Sequence, residues 1–122
     1  MVRTRPIIIV DDDESVRRAL RRLLRSVGMT VTTFATAEEF LESTGQPPPG
    51  CLILDVHLPG LSGLELQKRL IAEGRCAPVV FITAYGDDPT REQALRAGAI
   101  AFLLKPFEEQ PFLDAVARAI GP

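Results

Sequence analysis

Short apolar runs alternate with longer amphipathic segments along this chain of 122 residues. The runs are rich in valine and isoleucine, and each is followed by a segment with helical periodicity. This alternation predicts five βα units, because a strand that helices cover on both faces needs a continuous apolar run. The predicted strands are residues 7–10, 30–34, 52–55, 79–83 and 100–104. The second alternates in polarity and is expected at a sheet edge, whereas the other four are expected at the centre.

Helix start and stop signals separate the predicted strands. Thr36 and Ser62 each precede a glutamate by three residues, which is the capping-box spacing that marks a helix start. The fourth helix is expected to begin with Asp88 as its cap and Pro89 in its first position, and the fifth to span residues 109–120. The first helix is expected to bury one apolar stripe and to end at a glycine. These residues are Val16, Leu20, Leu23, Leu24, Val27 and Gly28.

The length and composition favour one folded domain over residues 1–122, without a second domain. Apolar residues make up 46% of the chain and charged residues 25%, which excludes the composition of disordered chains. The net charge of −2 gives no positive field for nucleic acid, and the apolar runs are too short to span a membrane. Residues 1–6 lack a secretory pattern, so we expect a cytoplasmic protein in which Cys51 and Cys76 are reduced structural thiols.

Polar residues stand at the carboxyl ends of four predicted strands, where open parallel sheets bind their ligands. They are Asp11, Asp12 and Asp13 after the first strand, Asp55 in the third, Thr83 in the fourth and Lys105 after the fifth. Two carboxylates about 4 Å apart repel by up to ~4 kcal/mol at an effective dielectric of ~20, so a cation must offset them. Carboxylate oxygens suit Mg²⁺, while Lys105 adds a positive charge and Thr83 a hydroxyl donor. This combination predicts phosphoryl transfer to a carboxylate.

In combination, these motifs resemble the receiver domains of two-component response regulators, over essentially the whole chain. The matching residues are Asp11-Asp12 after an apolar strand, the run 54–63 with its Asp, Pro and Gly, Thr83-Ala84, and Lys105-Pro106-Phe107. The resemblance implies an α/β, flavodoxin-like (βα)5 fold, doubly wound, with a five-stranded parallel sheet of order 2-1-3-4-5. It also implies a phosphoacceptor and not an enzyme, with intrinsic autodephosphorylation.

The resemblance assigns the acceptor and the metal ligands. Asp55 would accept the phosphoryl group from the phosphohistidine of a sensor histidine kinase or a phosphotransfer protein. Asp12, the Asp55 carboxylate and the main-chain carbonyl of His57 would ligate Mg²⁺, for which Mn²⁺ could substitute. Asp11 would assist through water, whereas Asp13 falls outside this set.

The resemblance also implies a switch. Thr83 would hydrogen-bond the phosphoryl oxygens, Lys105 would pair with them, and the small Ala84 would leave the approach open. The Lys105–Pro106 peptide bond is expected to be cis. When Thr83 moves toward the phosphoryl group, Phe102 would turn into the vacated space and change the surface near the fourth helix and fifth strand.

Two positions depart from the commoner family pattern. They are His57 and Tyr85, two residues beyond Asp55 and Thr83, where the family tunes the access of water to the phosphoryl group. We expect both bulky side chains to slow hydrolysis. The resemblance further implies an output in transcription regulation, a phosphorylation-dependent homodimer as one possible assembly, and no direct nucleic acid binding by this domain.

Two other functions stay open on the sequence. Mg²⁺-dependent phosphatases of the haloacid-dehalogenase type also carry Asp-x-Asp after the first strand, as Asp11 and Asp13 do here, but the spacing of Asp55, Pro59 and Gly63 would then be unexplained. A degenerate receiver could keep the fold as an interaction module. The first helix carries arginines that form a solvated face or a docking surface for an acidic kinase; they are Arg17, Arg18, Arg21, Arg22 and Arg25.

Overall fold

The computed structural model describes residues 5–43, 48–75 and 77–121, which contain five strands and five helices in alternation. The strands are β1 (Ile7–Val10), β2 (Val31–Phe34), β3 (Cys51–Asp55), β4 (Val79–Thr83) and β5 (Ala101–Leu104). The helices are α1 (Glu14–Ser26), α2 (Ala37–Glu42), α3 (Gly63–Ala72), α4 (Asp88–Arg96) and α5 (Glu109–Ile120). Among the residues that the structure describes, no helix combines the length and apolar character needed to cross a membrane.

All the strands lie in one parallel sheet of order β2-β1-β3-β4-β5, which confirms the predicted doubly wound topology. Helices α2, α3 and α4 pack on one face, where Phe40 and Leu66 are buried against the even-numbered residues of β1 and β3. Helices α1 and α5 pack on the other face, where Leu24 and Phe112 are buried. The chain reverses its winding direction at β1, so the crevice between the carboxyl ends of β1 and β3 is the topological switch point.

Strand β5 lies at an edge of the sheet, and the expectation from its apolar run that it is central is wrong. Its side chains still meet both helix layers, because Phe102 packs against one apolar cluster and Leu103 against the other. A continuous apolar run therefore indicates that helices cover both faces of a strand. It does not indicate whether the strand has one neighbouring strand or two. Leu104, at the end of this strand, is 53% exposed. The expected edge position of β2 is confirmed.

The predicted helix starts are confirmed at α2 and α3, where both capping boxes form. At α4 the start is displaced by one residue: Asp87, not Asp88, is the cap, because its carboxylate accepts the N–H of Thr90 at 2.8 Å. Val27 was predicted in the buried stripe of α1 but lies beyond the helix and is half exposed. The chain turns there into Gly28, whose φ of +88° suits a glycine after a helix end.

The described residues include one cysteine, Cys51, and its surroundings do not favour thiol chemistry. Cys51 lies in β3 and is completely buried as a free thiol. Burial raises its pKa to about 12, so the reactive thiolate is scarce at neutral pH. Cys76 lies outside the described residues.

Candidate functional site

Four of the predicted site residues lie at the carboxyl ends of β1, β3, β4 and β5. Asp11 follows β1 and is completely buried, and Asp55 ends β3 at 5% exposure. Lys105 follows β5, and its ammonium donates to Asp11 Oδ2 at 2.7 Å and to Asp55 Oδ2 at 3.0 Å. Thr83 ends β4 and is also buried. Asp11, Asp55 and Lys105 are thus in direct contact, with one cation bridging two carboxylates, whereas Asp13 lies outside this contact and caps α1.

Burial and hydrogen bonding in this bridge shift the pKa values of Asp11 and Lys105. Burial raises the pKa of the Asp11 carboxyl more than its hydrogen bond from Lys105 lowers it. Burial also lowers the pKa of the Lys105 ammonium, but its hydrogen bonds to Asp11 and Asp55 outweigh burial, and the net shift is upward. Lys105 is therefore fully charged at neutral pH and offsets part of the negative charge of its two partners.

The acidic residues fit a divalent cation. Asp11, Asp12 and Asp55 each offer a carboxylate oxygen, and these oxygens lie within 4.8 Å of one another. Two of the three side chains are buried, and Asp12 is exposed at the mouth of the site. Three carboxylates against a single ammonium leave the cluster negatively charged, and hard oxygen ligands of this kind suit Mg²⁺.

The Asp55 carboxylate is held on both oxygens. The backbone N–H of His57 donates to Asp55 Oδ1 at 3.0 Å, while Lys105 donates to Oδ2. The imidazole of His57 points outward, with Nε2 at 3.3 Å from the carbonyl oxygen of Tyr85. The two rings lie edge to face with their centroids 5.9 Å apart. The two side chains predicted to tune the site therefore touch each other beside it.

Thr83 is turned toward its own loop. Its hydroxyl donates to the carbonyl oxygen of Tyr85 at 2.8 Å and accepts the Tyr85 N–H at 3.1 Å. Phe102 is half-buried, with its ring centroid 6.2 Å from that of Phe81. Ala84 is exposed. The Lys105–Pro106 peptide bond is cis, which confirms that prediction.

Two residues that contact the site or the loop beside it were missed by the sequence reasoning. Arg17 was assigned to a solvated or docking face, but it donates to the main-chain carbonyl of Asp11 at 2.8 Å. Glu38 accepts the N–H of Leu61 in the β3–α3 loop at 2.9 Å. No sequence motif predicts either contact, because each depends on how a helix packs beside a loop.

Gly63 fixes the start of α3 against the acceptor strand. A Cβ at this position would overlap the main-chain carbonyl of Asp55 and come within 3.2 Å of the Phe81 ring. We predict that Gly63→Ala lowers the free energy of unfolding by about 1–3 kcal/mol, because the added methyl must push the helix away from the sheet. Urea unfolding measures this. Gly50→Ala is the comparison, since its methyl would approach Arg5 to 3.2 Å but would overlap no main-chain carbonyl, so it should cost less stability than Gly63→Ala. An unchanged urea midpoint for Gly63→Ala would contradict the close packing.

Fold and site together define a class of protein: a doubly wound α/β domain with an acidic pocket and a lysine at its switch point. The family model of the response regulator receiver domain matches residues 7–117. The chain belongs to this family. Receiver domains are signalling phosphoacceptors of two-component systems, not classical enzymes, and they bind Mg²⁺ through an acidic pocket. The match leaves the phosphatase alternative without support.

Individual relatives agree with the family match. Nodulation protein W of Bradyrhizobium diazoefficiens is 48% identical over 113 residues, which cover 93% of this chain and 50% of that protein. The response regulator protein TmoT of Ectopseudomonas mendocina is 46% identical over 114 residues, covering 93% of this chain and 52% of its own. The chain therefore spans about half the length of these curated relatives.

Solved structures share the fold. The response regulator StyR is 51% identical with a TM-score of 0.85, covering 96% of this chain and 60% of its own. FixJ-N is 34% identical with a TM-score of 0.86, covering 98% of this chain and 95% of its own. The predicted flavodoxin-like receiver fold is confirmed.

Proposed function

We propose that Asp55 accepts a phosphoryl group from the phosphohistidine of a histidine kinase or phosphotransfer protein. The observation that carries this proposal is the state of the Asp55 carboxylate, which is nearly buried and held on one oxygen by the His57 N–H and on the other by Lys105. A carboxylate fixed in this way loses little orientational freedom when it attacks. Residues 1–122 would form the receiver unit of the protein.

In the transfer, a carboxylate oxygen of Asp55 forms a bond to phosphorus as the phosphorus–nitrogen bond of the phosphohistidine breaks. The bonding electrons remain on the imidazole nitrogen of the donor, and the product is an acyl phosphate. Lys105 donates to Asp55 and Asp11 at the point where the phosphoryl oxygens arrive, so its charge stabilises them. Mg²⁺, held by Asp12, Asp55 and the His57 main-chain carbonyl with Asp11 assisting, would neutralise charge on the transferred group; Mn²⁺ could serve instead.

The response to phosphorylation would begin at Thr83. To donate to a phosphoryl oxygen, its hydroxyl must leave the Tyr85 carbonyl, which it contacts at 2.8 Å. That movement would open space for Phe102 to turn inward and would change the surface around α4 and β5. Only Ala94 of α4 is buried, so this helix is weakly anchored and suited to shift.

The output would be control of transcription. A 40% identical relative, FixJ of Azorhizobium caulinodans, is a transcriptional regulatory protein, and this chain covers 55% of its length. The net charge of −2 makes direct nucleic acid binding by this domain unfavourable. We therefore propose that a different part of the protein contacts DNA, that the changed α4 and β5 surface supports a homodimer, and that the protein acts in the cytoplasm.

The contact between His57 and Tyr85 would prolong the life of the acyl phosphate. The two rings meet edge to face beside the acceptor, and in the phosphorylated protein they would narrow the path of a water molecule to the phosphorus. We expect His57→Asn and Tyr85→Ala each to speed hydrolysis about threefold or more, which is a change of roughly 0.7 kcal/mol in the barrier. The rate is measured as loss of phosphoprotein after removal of the donor. Unchanged lifetimes in both variants would contradict this role.

The test of the proposal is chemical labelling of the purified chain with phosphoramidate and Mg²⁺. Intact mass should show a single added phosphoryl group, and peptide mapping should place it on Asp55. A label on Asp11, or repeated hydrolysis of phosphate monoesters, would point instead to a phosphatase. A chain that takes no label would be a degenerate receiver.

A further inference from the structure

Glu38 lies in the first turn of α2, and its carboxylate reaches the loop of residues 56–62 between β3 and α3. Glu38 Oε2 accepts the N–H of Leu61 at 2.9 Å, across 23 positions of sequence. Its neighbour Glu39 has a different partner and completes the capping box with Thr36. Glu39 therefore caps the start of α2, while the Glu38 carboxylate hydrogen-bonds the loop.

The backbone at the tip of this loop lies close to the Glu38 carboxylate. Gly60 has a φ of +72°, and a Cβ built there would lie 2.5 Å from Glu38 Oε2. A side chain at this position would be strained by its backbone and would also displace the carboxylate. Gly60 thus allows the loop to close onto Glu38.

The rest of the loop is fixed by other contacts. At its start the His57 N–H donates to Asp55, and at its end the Gly63 N–H donates to the Val56 carbonyl at 3.0 Å. Leu58 is buried in the same apolar cluster as Ala37 of α2. Helix α2 and the loop therefore share one apolar cluster, and Glu38 hydrogen-bonds the exposed tip of the loop to the helix.

We propose that Glu38 is a positioning residue that orders the β3–α3 loop and so directs the main-chain carbonyl of His57 toward the cation site. The inference rests on the proposed function, because it assigns that carbonyl to the metal. Glu38 acts through the loop and contacts neither Asp55 nor the transferred group. Partners that orient a metal ligand change metal affinity when they are removed.

The test measures Mg²⁺ affinity by titration calorimetry on the whole chain. Glu38→Ala is expected to weaken Mg²⁺ binding about tenfold. Glu38→Gln keeps an acceptor oxygen and should restore affinity to within about twofold of the unaltered chain. Glu42→Ala is the matched control, since it removes the same charge from the same helix at an exposed position and should leave affinity unchanged.

Hydrogen exchange at the Leu61 amide gives a second readout that needs no metal. In Glu38→Ala this amide loses its acceptor and should exchange faster, while it stays protected in Glu42→Ala. Equal Mg²⁺ affinity in Glu38→Ala and Glu42→Ala would overturn the inference, even if Glu38→Ala lowered thermal stability. If the unaltered chain binds no Mg²⁺, the proposed function fails, whereas the exchange of Leu61 still shows whether Glu38 orders the loop.

Discussion

Replacing Asp55 with asparagine is expected to abolish phosphoryl uptake, both from phosphoramidate and from a histidine kinase. The amide has nearly the shape of the carboxylate, and its single oxygen can still accept one of the two hydrogen bonds that His57 and Lys105 each donate at 3.0 Å. It lacks the anionic oxygen that attacks phosphorus, so the rate should fall by more than about a thousandfold. The measurement is phosphoryl incorporation by intact mass in the presence of Mg²⁺.

Asp13→Asn is the matched control for this experiment. Asp13 belongs to the same acidic run, but its side chain caps α1 by accepting the Ser15 N–H at 2.9 Å. Asparagine caps helices as well as aspartate does, so folding and uptake should both persist. Labelling of the Asp55→Asn variant at the level of Asp13→Asn would show that another residue is the acceptor.

Much of the fold follows from features that are local in sequence. The apolar runs predict the strands because burial on both faces excludes polar residues from them. The capping residues Thr36 and Ser62 predict where α2 and α3 begin, because each satisfies backbone groups a few residues away. The edge position of β5 was not visible in its own composition, since both helix layers cover it.

The sequence predicts which residues form the site but not which hydrogen bonds they make. The carboxyl ends of parallel strands share one edge of the sheet, so Asp11, Asp55 and Lys105 had to meet there. The orientation of Thr83 toward Tyr85 depends on the loop after β4, and the contact of Glu38 with Leu61 depends on the packing of α2. Thr83 and Tyr85 are only two residues apart, but their contact depends on the conformation of the turn, whereas Glu38 and Leu61 are separated by 23 positions that no sequence pattern relates.

Replacing Lys105 with methionine is expected to lower the stability of the metal-free chain and to change Mg²⁺ affinity and phosphoryl transfer in opposite directions. Without Mg²⁺, the variant should lose about 2 kcal/mol of stability, because Asp11 and Asp55 would remain buried without their cation. That figure lies below the loss for fully buried pairs, since the Lys105 side chain is 19% exposed. The pKa of Lys105 is raised, so its stabilisation is complete at neutral pH and is lost only as the pH rises through that raised value. Urea unfolding in chelator measures the difference.

The same variant should bind Mg²⁺ more tightly and yet accept phosphate more slowly. The ammonium neutralises the carboxylates that would hold the metal, so its removal should raise Mg²⁺ affinity severalfold. Transfer from phosphoramidate should nevertheless slow about a hundredfold, because the incoming phosphoryl oxygens lose a charged donor. Lys68→Met is the control: Lys68 is exposed on α3 and is the other lysine of the chain, so net charge changes equally. If Lys105→Met weakened Mg²⁺ binding and transfer together, the lysine would be organising the pocket and not stabilising the transferred group.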